Sequence, residues 1–249
     1  MIYVPVLTKF KGARQKKQRR WLGFLTALSF VGVVSATGSA DTNTSLKAVY
    51  RVTNYENDRV VSENEVKLFR NHQQVAYEYK NKGVTELWER MPNGRVHLIR
   101  FFNDAKRGIE YQSNEIKGDN NWDVKYYLVS NVLRQAASNP DNRSVLRKQF
   151  NDGLVELEWA NEWQLPRVLT VTTGLHATRW ALISSHFNKN EVGTYFATLD
   201  HYATTDYADI GDSESDPFLM KMIKLGFIEH GHAGFYNADG QAIDDGHHH

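Results

Sequence analysis

From Leu46 to Gln112 apolar side chains return at every second position, and the runs break at Asn, Gly or Pro. Leu46, Ala48, Tyr50 and Val52 share one face of the first run. Val66 and Leu68 do so in Val60 to Arg70, and Val75, Tyr77 and Tyr79 in the third. The breaks are Glu56-Asn57-Asp58-Arg59, Asn71-His72, Asn81-Lys82-Gly83 and Pro92-Asn93-Gly94, with further strands expected over 84–91 and 95–102. A period of two sends alternate side chains to opposite faces, so this stretch predicts an antiparallel meander with one buried face and one wet face.

Trp122 to Ala137 changes period. Val124, Tyr127, Leu128, Asn131, Val132 and Gln135 recur near every 3.6 residues, which predicts one helix lying on the sheet, N-capped by Asp119 or Asn121. Strands are expected again over 154–159, 167–173, 178–187 and 193–202, with Pro166 at a strand start. The acidic stretch Asp206 to Asp216 reads as turns, and Phe218 to Leu225 as a short helix with Pro217 in its first turn and Gly226 as its stop. The expected class is α+β: a curved antiparallel β-sheet, a half-barrel, with one or two helices packed on its concave face. One domain is expected over residues 41–228, followed by a His-, Gly- and Asp-rich tail over 229–249.

The first 40 residues carry seven of the 30 basic residues and none of the 29 acidic ones. An uncharged, mostly apolar run follows from Trp21 to Ala36, then small residues in the order a signal peptidase reads. That order predicts a cleaved export signal over residues 1–40 and a periplasmic or secreted location. The apolar run is short for a spanning helix, so no stable membrane insertion is expected after cleavage. Arg19-Arg20 faintly resembles a twin-arginine signal but lacks the usual preceding Ser or Thr. The remaining chain holds 23 basic against 29 acidic residues, a net of −6, which argues against nucleic acid as a partner. The chain has no cysteine; disulfides, thiolate metal sites and cysteine nucleophiles are excluded.

Trp88, Trp122, Tyr127, Trp159 and Trp180 are the candidate ligand-binding side chains, able to line an apolar hollow. Their plainer role is core packing beneath the helix. Asp212, Glu214 and Asp216 alternate like the first ligands of a calcium loop, but Pro217 replaces the required Gly and Ile223 the closing Glu. With His230 and His232 these acids form the candidate metal set. Phosphate-loop, Gly-x-Ser-x-Gly and His-Glu-x-x-His motifs are absent, so no catalytic residue and no cofactor is assigned.

Two stretches resemble the half-barrel carriers of bacterial lipoproteins, the LolA/LolB-like superfamily. One is the strand series Leu46 to Phe102 after a signal; the other is Leu154-Val-Glu-Leu-Glu-Trp159, then Leu165-Pro-Arg-Val-Leu-Thr-Val-Thr172, then Trp180-Ala-Leu-Ile183. The resemblance implies a curved sheet wrapping an apolar cavity, with helices as its lid. The expected function is therefore a non-enzymatic binding or carrier protein for an acyl chain or other apolar small molecule, with an envelope protein as partner. The alternatives are metal binding or delivery through the acidic loop and His-rich tail, and a hydrolase of unrecognised type.

Overall fold

Two adjacent left-handed residues, Asn57 and Asp58, close the first hairpin. Such paired positive φ values match the right-handed twist of the strands they join. The hairpin pairs β1 (Leu46–Glu56) with β2 (Arg59–Arg70), and β1 pairs on its other side with β10 (His176–Phe187). The structure is a computed structural model and describes residues 44–116, 118–138, 145–150, 153–212 and 215–224. The expected export signal and the His-rich tail lie outside these residues.

The meander continues through β3 (Gln74–Tyr79), β4 (Val84–Arg90), β5 (Val96–Phe102) and β6 (Arg107–Tyr111). The second half adds β7 (Leu146–Gln149), β8 (Gly153–Ala160), β9 (Leu165–Thr173), β10 and β11 (Ala203–Asp206). All belong to one open sheet in the order β11-β6-β5-β4-β3-β2-β1-β10-β9-β8-β7. It is mixed, because β11 runs parallel to β6. Both edges are four-residue strands; short edges limit strand addition by other chains.

Strand register fixes what faces what. Ala48, Leu68, Tyr77, Glu86, Arg100 and Ile109 form one cross-strand row, and Leu46, Arg70, Val75, Trp88, Leu98 and Tyr111 another on the same face. Residues of opposite phase, Phe69, Ala76, Leu87 and Ile99, form a row on the other face. The larger core lies on the first face, beneath α1 (Trp122–Tyr127), α2 (Asn131–Ala137) and α4 (Pro217–Lys224). The second face buries Val192, Phe196 and Leu199 of α3 (Lys189–Asp200). Helices thus cover both faces, whereas the sequence reading places one or two on a single face.

Three local expectations are corrected. The 122–137 helix is two short helices, because Leu128 takes a left-handed conformation (φ 64) and Ser130 caps the second by accepting from the Leu133 amide at 3.4 Å. The strand expected at 193–202 is α3. Its cap, Asn188, accepts from the Glu191 amide at 3.0 Å, and Val192, Phe196 and Leu199 follow a helical spacing that outweighs the β-prone Thr, Tyr and Phe. The segment leading into the acidic stretch, Ala203–Asp206, is an unexpected strand, β11, and the stretch itself continues as a 3-10 turn over Tyr207–Asp212.

Candidate ligand-binding face

The chain leaves β6 near one edge of the sheet and re-enters at β7 on the far edge. The intervening residues must cross a face, and α1 and α2 are what crosses it. Each is under two full turns, too short to be stable alone. Their hold on the sheet therefore decides whether this face is open or covered.

That hold is polar as well as apolar. The last carbonyls of a helix have no partner within it. The Tyr77 hydroxyl donates to the Lys125 carbonyl. Arg70 Nη1 donates to the Tyr126 carbonyl at 3.0 Å, and the Tyr126 hydroxyl donates to the Asn71 carbonyl at 2.7 Å. Arg70 also donates to the carbonyls of Gln164 (3.2 Å) and Trp163, in the turn between β8 and β9. One side chain thus ties α1 to a distant hairpin. Arg70 is 5% exposed, and its guanidinium lies 4.8 Å from the Tyr126 ring centroid. No carboxylate pairs with it among the described residues, and its Nε has no hydrogen-bond partner there. Burial pulls its pKa below the ordinary value, opposed by Tyr126, Tyr127, Tyr50 and Tyr77; an arginine still stays protonated.

A second charged group lies along the same face. Arg100 and Glu86 pair at 3.0 Å with side chains 13% and 11% exposed. Lys125, on α1, sets its ammonium 4.1 Å from the Trp88 ring centroid. Burial lowers its pKa, and Glu86 and Asp119 oppose that shift. Burial likewise raises the phenols of Tyr50, Tyr77, Tyr79 and Tyr111, because the charged form is disfavoured away from water.

The five candidate aromatics belong to this one cluster. Trp88 and Trp180 are fully packed, at 2% and 1% exposure, while Trp122, Tyr127 and Trp159 are half-buried against the same core. Trp180 lies edge-on to Tyr50 and Tyr77 at ring separations of 5.7 and 6.4 Å. Trp122 and Tyr126 continue the aromatic surface at 5.1 Å.

The metal set does not assemble among the described residues. His230, His232 and Glu214 lie outside them, as does the side chain of Asp212. Asp216 pairs with Arg107 at 2.9 Å and caps α4 by accepting from the Phe218 amide at 2.9 Å. Arg107 holds its carboxyl below the usual range. No group of three or more His, Asp or Glu side chains able to hold a metal occurs among the described residues, and no helix among them is long and apolar enough to cross a membrane.

Arg70, Glu86, Arg100 and Lys125 were not among the candidates, yet three of them carry a readable signal. Arg70 is in phase with Val66 and Leu68, Glu86 with Val84 and Trp88, and Arg100 with Leu98 and Phe102. A charge on the inward phase of an alternating strand is costly unless paired or hydrogen-bonded, so it marks a position with a task.

No family model matches the chain, and no curated protein matches it. Among solved structures, one of PNGF-II in a P21 crystal form is similar at 11% identity and a TM-score of 0.36. The likeness covers 68% of this chain but only 32% of that one, and at that score it decides neither fold nor function.

Proposed function

We propose that this is a non-enzymatic binding or carrier protein for a lipid-like or other apolar ligand, exported to the cell envelope, with α1 and α2 as the movable cover of a half-barrel. The supporting contacts are those that bring distant strands together. Strands three steps apart in a flat sheet are about 14 Å apart. Yet Tyr77 on β3 and Trp180 on β10 are in ring contact across that interval. Arg70 on β2 likewise reaches the turn before β9, and the Tyr50 hydroxyl on β1 meets the Pro166 carbonyl of β9 at 2.8 Å. A sheet curling toward the α1–α2 side makes such contacts easy, and this is the shape implied by the lipoprotein-carrier resemblance.

The observation that carries the reading is the polar tether over an aromatic surface. Lifting α1 breaks the bonds of Arg70 to Tyr126, Tyr77 to Lys125 and Tyr126 to Asn71, at roughly 4 kcal/mol in total. It uncovers Trp88 on the sheet and frees Trp122 and Tyr127, which α1 itself packs against that core. A twelve-carbon chain laid there gains about 9 kcal/mol before ordering costs, enough to offset the opening. The interior is packed in this state, so the ligand enters by displacing the cover. Native mass spectrometry of the purified protein tests this: a co-purified lipid, or saturable uptake of dodecanoate, is expected. The absence of both a co-purified lipid and uptake of any twelve-carbon probe refutes it.

A further inference from the structure

We infer that the ligand is an anionic amphiphile, whose carboxylate or phosphate head is held between Arg70 and Lys125 while its chain lies on the aromatic surface. The inference rests on the apolar-ligand reading above and adds the chemistry of the head group. Arg70, Val75 and Trp88 stand in one cross-strand row, and the Lys125 ammonium sits on Trp88. The two cations therefore flank Val75 on the covered face, one anchored in the sheet and one on the cover, which settles back over the bound head for both to hold it.

The charges on this face do not cancel. Arg100 takes Glu86 as its partner. Arg70 is left with backbone carbonyls and rings, and its Nε is unpartnered. While α1 is in place, the Tyr126 carbonyl and ring satisfy part of that guanidinium. When the cover lifts, that part is lost, and a guanidinium facing an oily hollow is poorly compensated. A carboxylate or phosphate oxygen restores the lost acceptor with a charge-assisted bond, stronger than the carbonyl it replaces. A hydrocarbon or alcohol restores less, and a cationic head adds repulsion.

The test titrates the purified full chain, below micelle concentration, with dodecanoate, dodecanol and dodecyltrimethylammonium, reading tryptophan fluorescence and calorimetric heat. Sodium acetate and inorganic phosphate are titrated alongside. Dodecanoate is expected to bind about tenfold tighter than dodecanol, the difference of one charge-assisted hydrogen bond, with the quaternary ammonium weakest and neither free anion saturating. Lys125→Gln keeps the backbone carbonyl that accepts from Tyr77 and removes only the ammonium, and is expected to shrink the ratio of dodecanoate to dodecanol affinity. Equal affinity for the three chain probes overturns the head-group inference and leaves the apolar-ligand reading standing. Phosphate or acetate binding as tightly as dodecanoate overturns it in favour of a free-anion site. Failure of every chain probe overturns both.

Discussion

Replacing Arg70 with Met keeps most of the apolar stem and removes the guanidinium. Three carbonyls, those of Tyr126, Trp163 and Gln164, lose their donor. An abandoned buried acceptor costs about 1–3 kcal/mol. Relief of the desolvation of a buried cation works in the opposite direction. Water reaching the half-exposed turn at Trp163 and Gln164 reduces the cost further, so the net expectation is a loss of roughly 2–4 kcal/mol. The loss should be uneven. The α1 helix keeps two other ties, Tyr77 to Lys125 and Tyr126 to Asn71, but loses its connection to the β8–β9 turn. Urea denaturation reads the global term, and amide hydrogen exchange reads its distribution. Amides of α1 and α2 should exchange faster by a larger factor than those of β2 to β5. A dye for exposed apolar surface should bind the variant more strongly in native buffer. If global stability falls by under 1 kcal/mol and exchange in α1 is unchanged, Arg70 is not a tether and the movable-cover argument fails.

Two further outcomes follow from the second face. Gly108 lies beneath the Phe101 ring, where an added Cβ would come within 2.8 and 2.9 Å of ring carbons; Gly108→Ala should cost about 1–3 kcal/mol in thermal or urea unfolding. His97 lies between Glu89 (3.2 Å) and Glu110 (3.5 Å). The hydrogen bond with Glu89 raises the imidazole pKa against burial and, from the other side, lowers that of Glu89. A raised histidine pKa stabilises fully below the unfolded value, near 6.5, and that contribution disappears as pH rises through the folded value. Stability measured by urea unfolding should therefore decline from near pH 6.5 upward, and Glu89→Gln should flatten that slope.

The first five strands are readable because alternation, turn residues and length agree there. The Asn57-Asp58 pair adopts the left-handed conformation its composition favours. The misread segment, 193–202, shows why agreement matters. Its Gly193, Thr194, Tyr195 and Phe196 are weak helix formers, so local preference pointed to a strand. The outer face decided otherwise: Phe69, Ala76, Leu87 and Phe101 present an apolar patch that a helix stripe of Val192, Phe196 and Leu199 covers. Tertiary burial outweighs propensity in such cases, and no window of the sequence contains both partners. The break at Leu128 was hidden for a related reason. Its side chain keeps the apolar period and is buried, while its backbone leaves the helix.

The aromatics of the covered face were legible from composition, but its charges are what separate a working surface from an ordinary core. The Glu86–Arg100 pair lets that distinction be measured. If it is a structural pair alone, removing either partner strands the other: Glu86→Leu or Arg100→Met should each cost about 3–5 kcal/mol, while the double replacement recovers most of the loss. The double variant should then bind dodecanoate as the wild type does, since Arg70 and Lys125 remain. If instead it folds well but loses dodecanoate preference, the head group sits at Arg100 and not at Arg70. A double variant no more stable than the singles would mean that the surrounding hydroxyls of Tyr79 and Tyr111, rather than the ion pair, organise this part of the core.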